Sequence, residues 1–288
     1  MMGQKLAKSY AWRRGLLGGS AVSLQSRGAG IWLLPRRERR HHRRRHAMSG
    51  QVQLAVDRTA MVRAMKAALR IEPAHCAVVT IDCQRGNLDP TIASLPVPEA
   101  ECTRVLAGLN RLIASVRSQA IPVVHVDTVY EPSLLATHPF ERAMLEAKQS
   151  FTPHAQSDFT RHKSPGSPES ALMPELDVRT EDYRVSSKRT FDSFYGTQLE
   201  ILLRSLDVDT LLIGGCNTNT CVLATAFGAY VRGFKVVVLS DCVASAYGDD
   251  LHRFALANIQ RRLGWVLSLD ELEDKLAPPR KLVSRSGR

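Results

Sequence analysis

DTLLIGGCNTNTCVLATAFGAYVRGFKVVVLSD, residues 209–241, reads as an apolar run closed by two glycines, a short polar turn, a helix-spaced stretch and a second apolar run. A glycine-marked turn from strand to helix presents free backbone N–H groups and the positive end of a helix dipole to the side chain that opens the helix. Cys221 stands at that point. The setting favours a thiolate, whereas a cysteine inside a strand packs as a small hydrophobe.

The same unit recurs along the chain. CAVVTID (76–82), PVVHVDT (122–128), YRVSSK (183–188), DTLLIGG (209–215), KVVVLSD (235–241) and GWVLSL (264–269) read as strands, and EAECTRVLAGLNRLIASVRSQ (99–119) and YGTQLEILLRSL (195–206) as helices between them. This alternation predicts a three-layer, doubly wound α/β fold: a mainly parallel six-stranded sheet with helices on both faces. Residues 131–180, rich in Pro, Ser and His, break the rhythm and read as a loop-rich insertion with the character of a lid. In doubly wound sheets, sites form beyond the C-terminal ends of the strands. That rule selects Asp82, Thr128, Lys188 and the 214–221 loop.

The formal charge of +11 is confined to one end. Residues 1–47 hold 12 of the 39 Lys/Arg and one of the 28 Asp/Glu, leaving 27 of each for the rest. The segment RRERRHHRRRH (36–46) is a like-charge block expected to be disordered, directly before Met48. A leader upstream of a start at Met48, an arginine-rich targeting peptide and a nucleic-acid-binding arm are the readings it permits, and the first is preferred. Residues 48–288 are then one domain with a core of about 72–272 and no basic stripe for nucleic acid. No apolar run approaches the roughly 18 residues that span a bilayer, so no membrane partner is expected. Six cysteines without a CxxC pair or zinc-like spacing indicate a reduced, cytoplasmic setting, and all but Cys221 read as packing residues.

A thiol at Cys221 needs a base. His125 lies within a strand and reads as a core histidine, leaving the carboxylate of Asp82 to exchange the proton and Lys188 to supply a cation. Gln84, Asn87, Thr128, Phe191, Phe194 and Tyr195 are candidate substrate-binding residues by position, although the aromatics suit core packing equally well.

Taken in order, VTIDCQ with Asp82, SSKRTFDSFYGT with Lys188 and GGCNTNTCVLATAFGAYVRGF with Cys221 resemble the cysteine-hydrolase branch of the isochorismatase-like superfamily. The resemblance implies an Asp82–Lys188–Cys221 triad, adjacent first and fourth strands and a cis peptide at Cys216–Asn217. It also implies an oxyanion hole from the backbone N–H groups of Asn217 and Cys221. The nucleophilic cysteine implies C–N bond hydrolysis through a thioester. DTVYEPSLLATHP lacks the Asp-x-His pattern of metal-binding relatives, so neither metal nor other cofactor is expected. Asn219, with KRTFDSFYGT, is similar to ureidoacrylate and related ureido or carbamoyl amidohydrolases, which implies a small amide or ureide substrate. A homo-oligomer, dimer or tetramer, is implied by the resemblance alone. An ether hydrolase of the isochorismatase type, and a binding protein using the basic arm, are the competing readings.

Overall fold

The computed structural model describes residues 56–131, 138–140, 142, 143, 147 and 163–277. The expectations for residues 1–47 and for much of the 131–180 insertion lie outside the described residues.

Six parallel strands form the sheet: β1 (Cys76–Ile81), β2 (Val123–Thr128), β3 (Tyr183–Lys188), β4 (Thr210–Cys216), β5 (Lys235–Ala244) and β6 (Trp265–Leu267), in the order β3-β2-β1-β4-β5-β6. Strand order reverses between β1 and β4, which pair from Cys76↔Thr210 to Ile81↔Gly215. The adjacency implied by the resemblance is present, and the crevice of a doubly wound sheet opens at this point.

Alternation along the strands sorts side chains between the two faces. Val78, Val123, Leu212, Val237 and Leu239 join one core with the helix Glu99–Arg117 and the helix Leu269–Leu276. Ala77, Val79, Ile81, Val124, Leu211, Ile213 and Val236 face the other core, with the helices Leu199–Ser205 and Leu223–Val231. The helix Glu99–Arg117 buries Val105, Leu109, Leu112 and Val116, spaced three or four apart, with Ile113 beside them, each stabilising the fold by roughly 1.5–3 kcal/mol. No helix among the described residues is long and apolar enough to cross a membrane.

Two predicted elements need adjusting. β5 continues past Asp241 to Ala244, because a register shift lets β4 and β5 pair again at Gly215↔Val243. Arg104 secures this irregular stretch by donating to the Ser240, Asp241 and Val243 carbonyls. The helix predicted over 195–206 begins only at Leu199, since Asp192 and Ser193 first hold the chain in a turn through Phe194 N–H and the Thr197 hydroxyl.

His125 is the core histidine expected from its strand position, held between Thr80 Oγ1 at 2.7 Å and Asp182 at 3.2 Å. Burial keeps its imidazole below the ordinary histidine range. Arg117 grips Asp182 through both oxygens at 2.7 and 2.8 Å, and although burial opposes ionisation, these bonds hold the carboxyl at about 2. A carboxyl depressed on folding stabilises above its unfolded value and loses that contribution as pH falls through its folded value. Asp182→Asn is therefore expected to cost about 2–3 kcal/mol at neutral pH and to converge with the parent near pH 2. Urea unfolding across that window measures it. Parallel curves would show that the pair contributes nothing.

Candidate active site

Parallel register brings the strand ends together. Thr128 pairs with Lys188 across β2 and β3, and Asp82 follows β1 with its N–H bonded to the Val126 carbonyl at 2.9 Å. Asp82 takes a left-handed backbone, φ +52°, at the point where β1 ends. Beside it, Gly215 sits at φ +116° against the Ile81 backbone, where a Cβ would collide with the Ile81 carbonyl. Only glycine lets β4 pass this close beneath the site.

Lys188 is the hub. Its ammonium, fully buried, donates to Asp82 Oδ2 at 2.7 Å, to Thr128 Oγ1 at 2.6 Å and to Cys221 Sγ at 3.3 Å. The Thr128 hydroxyl in turn donates to Asp82 Oδ1 at 2.8 Å. Burial opposes the lysine charge, but Asp82 and then Cys221 outweigh it and raise Lys188 above the ordinary lysine range. Burial likewise opposes ionisation of Asp82, yet Lys188 and then Lys163 hold that carboxyl below the usual range. A charged pair at such depth persists only with this degree of hydrogen bonding.

Cys221 lies in the wide helical turn Thr218–Val222, closed by Val222 N–H on the Asn217 carbonyl and continuing into the helix Leu223–Val231. The peptide Cys216–Asn217 is cis. Side chains of the turn fasten it to the segment after β5: Asn217 Oδ1 accepts from Ala246 N–H at 2.9 Å, Asn219 Oδ1 from Ser245 at 2.6 Å, and Thr218 meets His252 at 2.9 Å. The expectation of a resting thiolate needs correction. Burial, reinforced by Asp82, pushes the Cys221 thiol up to about 11 against the opposing pull of Lys188. The proton must therefore move as the sulfur reacts.

The other five cysteines are buried and free, and burial raises their thiols as well, Cys102 also to about 11. Contact with the Lys188 ammonium, rather than acidity, sets Cys221 apart.

The structure distributes the remaining candidates unevenly. Thr128 belongs to the cluster. Gln84 is a brace: its amide donates to the Thr128 and Ser170 carbonyls and accepts from Thr128 N–H. Asn87 sits beneath Asp82, donating to its carbonyl at 2.8 Å. Phe194 is a core residue, stacked on Phe234 with centroids 5.8 Å apart, because its ring falls on the inner face of the turn. Phe191 and Tyr195 are 43% and 71% exposed and take no part in the cluster. Lys163 was not anticipated. It lies in the insertion, is 4% exposed and bonds Asn87 Oδ1 at 2.7 Å. Among the described residues, no group of three or more His, Cys, Asp or Glu is gathered to hold a metal ion.

The chain is thus a doubly wound α/β protein with a buried carboxylate, ammonium and thiol gathered at the C-terminal ends of its strands. The Isochorismatase domain family matches residues 76–271, and the chain belongs to that family of hydrolases. Ureidoacrylate amidohydrolase RutB of Methylobacterium radiotolerans is 27% identical over 218 residues, 73% of this chain and 83% of that protein. Maleamate amidohydrolase of Pseudomonas putida is 33% identical over 92 residues, 32% of this chain and 43% of that protein. A cysteine hydrolase from Pseudomonas syringae pv. phaseolicola shares the fold, with a TM-score of 0.61 at 22% identity over 72% of this chain and 95% of that one.

Proposed function

We propose that the protein hydrolyses a C–N bond of a small amide, ureido or carbamoyl compound through a thioester on Cys221, with Asp82 and Lys188 as its catalytic partners. The observation that carries this reading is the single ammonium of Lys188 lying 2.7 Å from Asp82 and 3.3 Å from Cys221. The named activities of the two amidohydrolase relatives support the substrate class.

As the sulfur attacks the carbonyl carbon, Asp82 takes its proton and the carbonyl π electrons move to oxygen. Once neutral, Asp82 no longer repels the thiolate, and Lys188 is left facing sulfur. The backbone N–H groups of Asn217 and Cys221 receive the oxyanion. Collapse breaks the C–N bond, with Asp82 returning the proton to the departing ammonia or amine. Water then attacks the acyl- or carbamoyl-thioester, Asp82 takes the water proton, and the thiolate leaves and is reprotonated. Thr128 keeps Asp82 aligned through this exchange. None of these steps calls for a metal or an organic cofactor.

An ammonia-release screen over ureido, carbamoyl and simple amides, run beside vinyl ethers, tests the reading. Turnover of at least one C–N substrate that disappears in Asp82→Asn is expected. Cleavage of ethers alone would replace it with the ether-hydrolase reading.

A further inference from the structure

Lys163 is built into the site with unusual care for a residue in an irregular segment. Its backbone is left-handed, φ +49°, and its carbonyl accepts Tyr130 N–H at 3.0 Å. Its aliphatic chain passes over Gly86, where a Cβ would stand 2.9 Å from Lys163 Cε and 2.9 Å from the Glu169 carbonyl. The missing side chain leaves a passage for the lysine. At the inner end Nζ donates to Asn87 Oδ1 at 2.7 Å, and Asn87 Nδ2 donates to the Asp82 carbonyl at 2.8 Å. The ammonium thus stands two hydrogen bonds from the Asp82 backbone.

Burying an ammonium is costly unless charge of the opposite sign lies near. Among the described residues, the hydrogen bond of Lys163 goes to a neutral amide, and the Asp82 carboxylate is already matched to Lys188 at 2.7 Å. Burial draws Lys163 below the ordinary lysine range, while Asp82 and then Cys221 favour its charge and Lys188 disfavours it. Reciprocally, Lys163 favours the charged forms of both Asp82 and Cys221. With a neutral thiol, Lys163, Lys188 and Asp82 together hold two cations and one anion. Departure of the sulfur proton to solvent would balance these three, and its transfer to Asp82 would leave sulfur as the anion, facing Lys188 at 3.3 Å with Lys163 as the further cation.

We propose that Lys163 is a second cation of this site, supplied by the insertion, that offsets the negative charge arising on Cys221 as it reacts. The proposal rests on Cys221 being the reactive thiol. It makes Lys163 a positioning and charge-balancing residue rather than one that touches substrate.

The test is alkylation of the full chain at pH 8 with neutral iodoacetamide and anionic iodoacetate, followed by mass spectrometry of the Cys221 peptide. Lys163→Met, close in length but uncharged, is expected to slow both reagents at Cys221 about tenfold, and Lys163→Arg to stay within about twofold of the parent. Slowing of iodoacetate alone would overturn the proposal, since Lys163 would then attract anions without stabilising sulfur. Unchanged rates in Lys163→Met, or equal slowing in Lys163→Arg, would overturn it also. Should Lys163→Met not fold, Lys163→Gln is read in the same assay with the same criteria. Labelling of another cysteine ahead of Cys221 in the unaltered chain would instead sink the assignment of Cys221, and this proposal with it.

Discussion

Cys221→Ser is expected to lose turnover by a factor on the order of a thousand or more while melting within a few degrees of the parent. Serine fits the same turn and keeps a hydrogen-bonding group against Lys188, so folding has little reason to suffer. The chemistry does suffer. An alcohol is far harder to ionise than a thiol, and Asp82, held below the usual carboxylate range, is a poor base for it. Cys216→Ala, one peptide from the turn, should lose far less, because its sulfur only donates to the Asp82 carbonyl at 3.3 Å. With a slow substrate, the intact enzyme should carry an acyl or carbamoyl mass on the Cys221 peptide. Retained hydrolysis in Cys221→Ser would reject covalent catalysis at this turn.

Lys188→Met is expected to lose both activity and stability. Removing one partner of a buried pair leaves the Asp82 carboxylate uncompensated, at about 3–5 kcal/mol, or roughly 6–20 °C in melting temperature for a domain of this size. The two losses can be told apart by pH. In the parent, Asp82 is depressed on folding, so its contribution is present at neutral pH and falls away on acidification. In Lys188→Met burial acts on Asp82 with only the more indirect Lys163 and the hydrogen bonds of Cys221 and Thr128 against it, so the folded carboxyl is expected to rise above its unfolded value. Such a group destabilises at neutral pH and stops doing so as the pH falls toward the ordinary carboxylate range. The variant should therefore gain stability between neutral pH and about pH 5, where the parent gains none. A parallel pair of melting profiles would mean that Asp82 is not an ionised partner of Lys188.

The sheet and the cluster were legible because both depend on local signals. β-branched runs ending in a polar residue mark strands, and the switch-point rule turns their last residues into site candidates without any contact being known. Asp82, Thr128 and Lys188 are each the last or next residue of such a run. The features that escaped depend on partners distant in sequence. The extension of β5 past a serine and an aspartate is set by Arg104, which lies 136–139 residues earlier. Nothing in SPGSPES announces that the lysine before it is buried beside Asn87, 76 residues away. Phe194 and Tyr195 are neighbours in sequence, yet one stacks in the core and the other faces outward, a choice made by the turn rather than by residue type. The expected thiolate failed for a related reason: a helix start is visible in sequence, whereas burial of the thiol is not.

The end of the insertion is stitched to the acid loop. Met173 N–H bonds the Cys83 carbonyl at 2.9 Å, Arg85 N–H the Ala171 carbonyl at 2.8 Å, and Gln84 bridges Ser170 and Thr128. For anyone transplanting this segment between relatives to change substrate range, the stitch dictates where the splice can fall. A junction at 170–173 would disturb the peptide carrying Asp82 even with every reactive side chain retained. A junction between 163 and 170 would leave that peptide intact but discard Lys163. A donor segment that ends before 163 keeps both Lys163 and the hydrogen bonds made by residues 170–173.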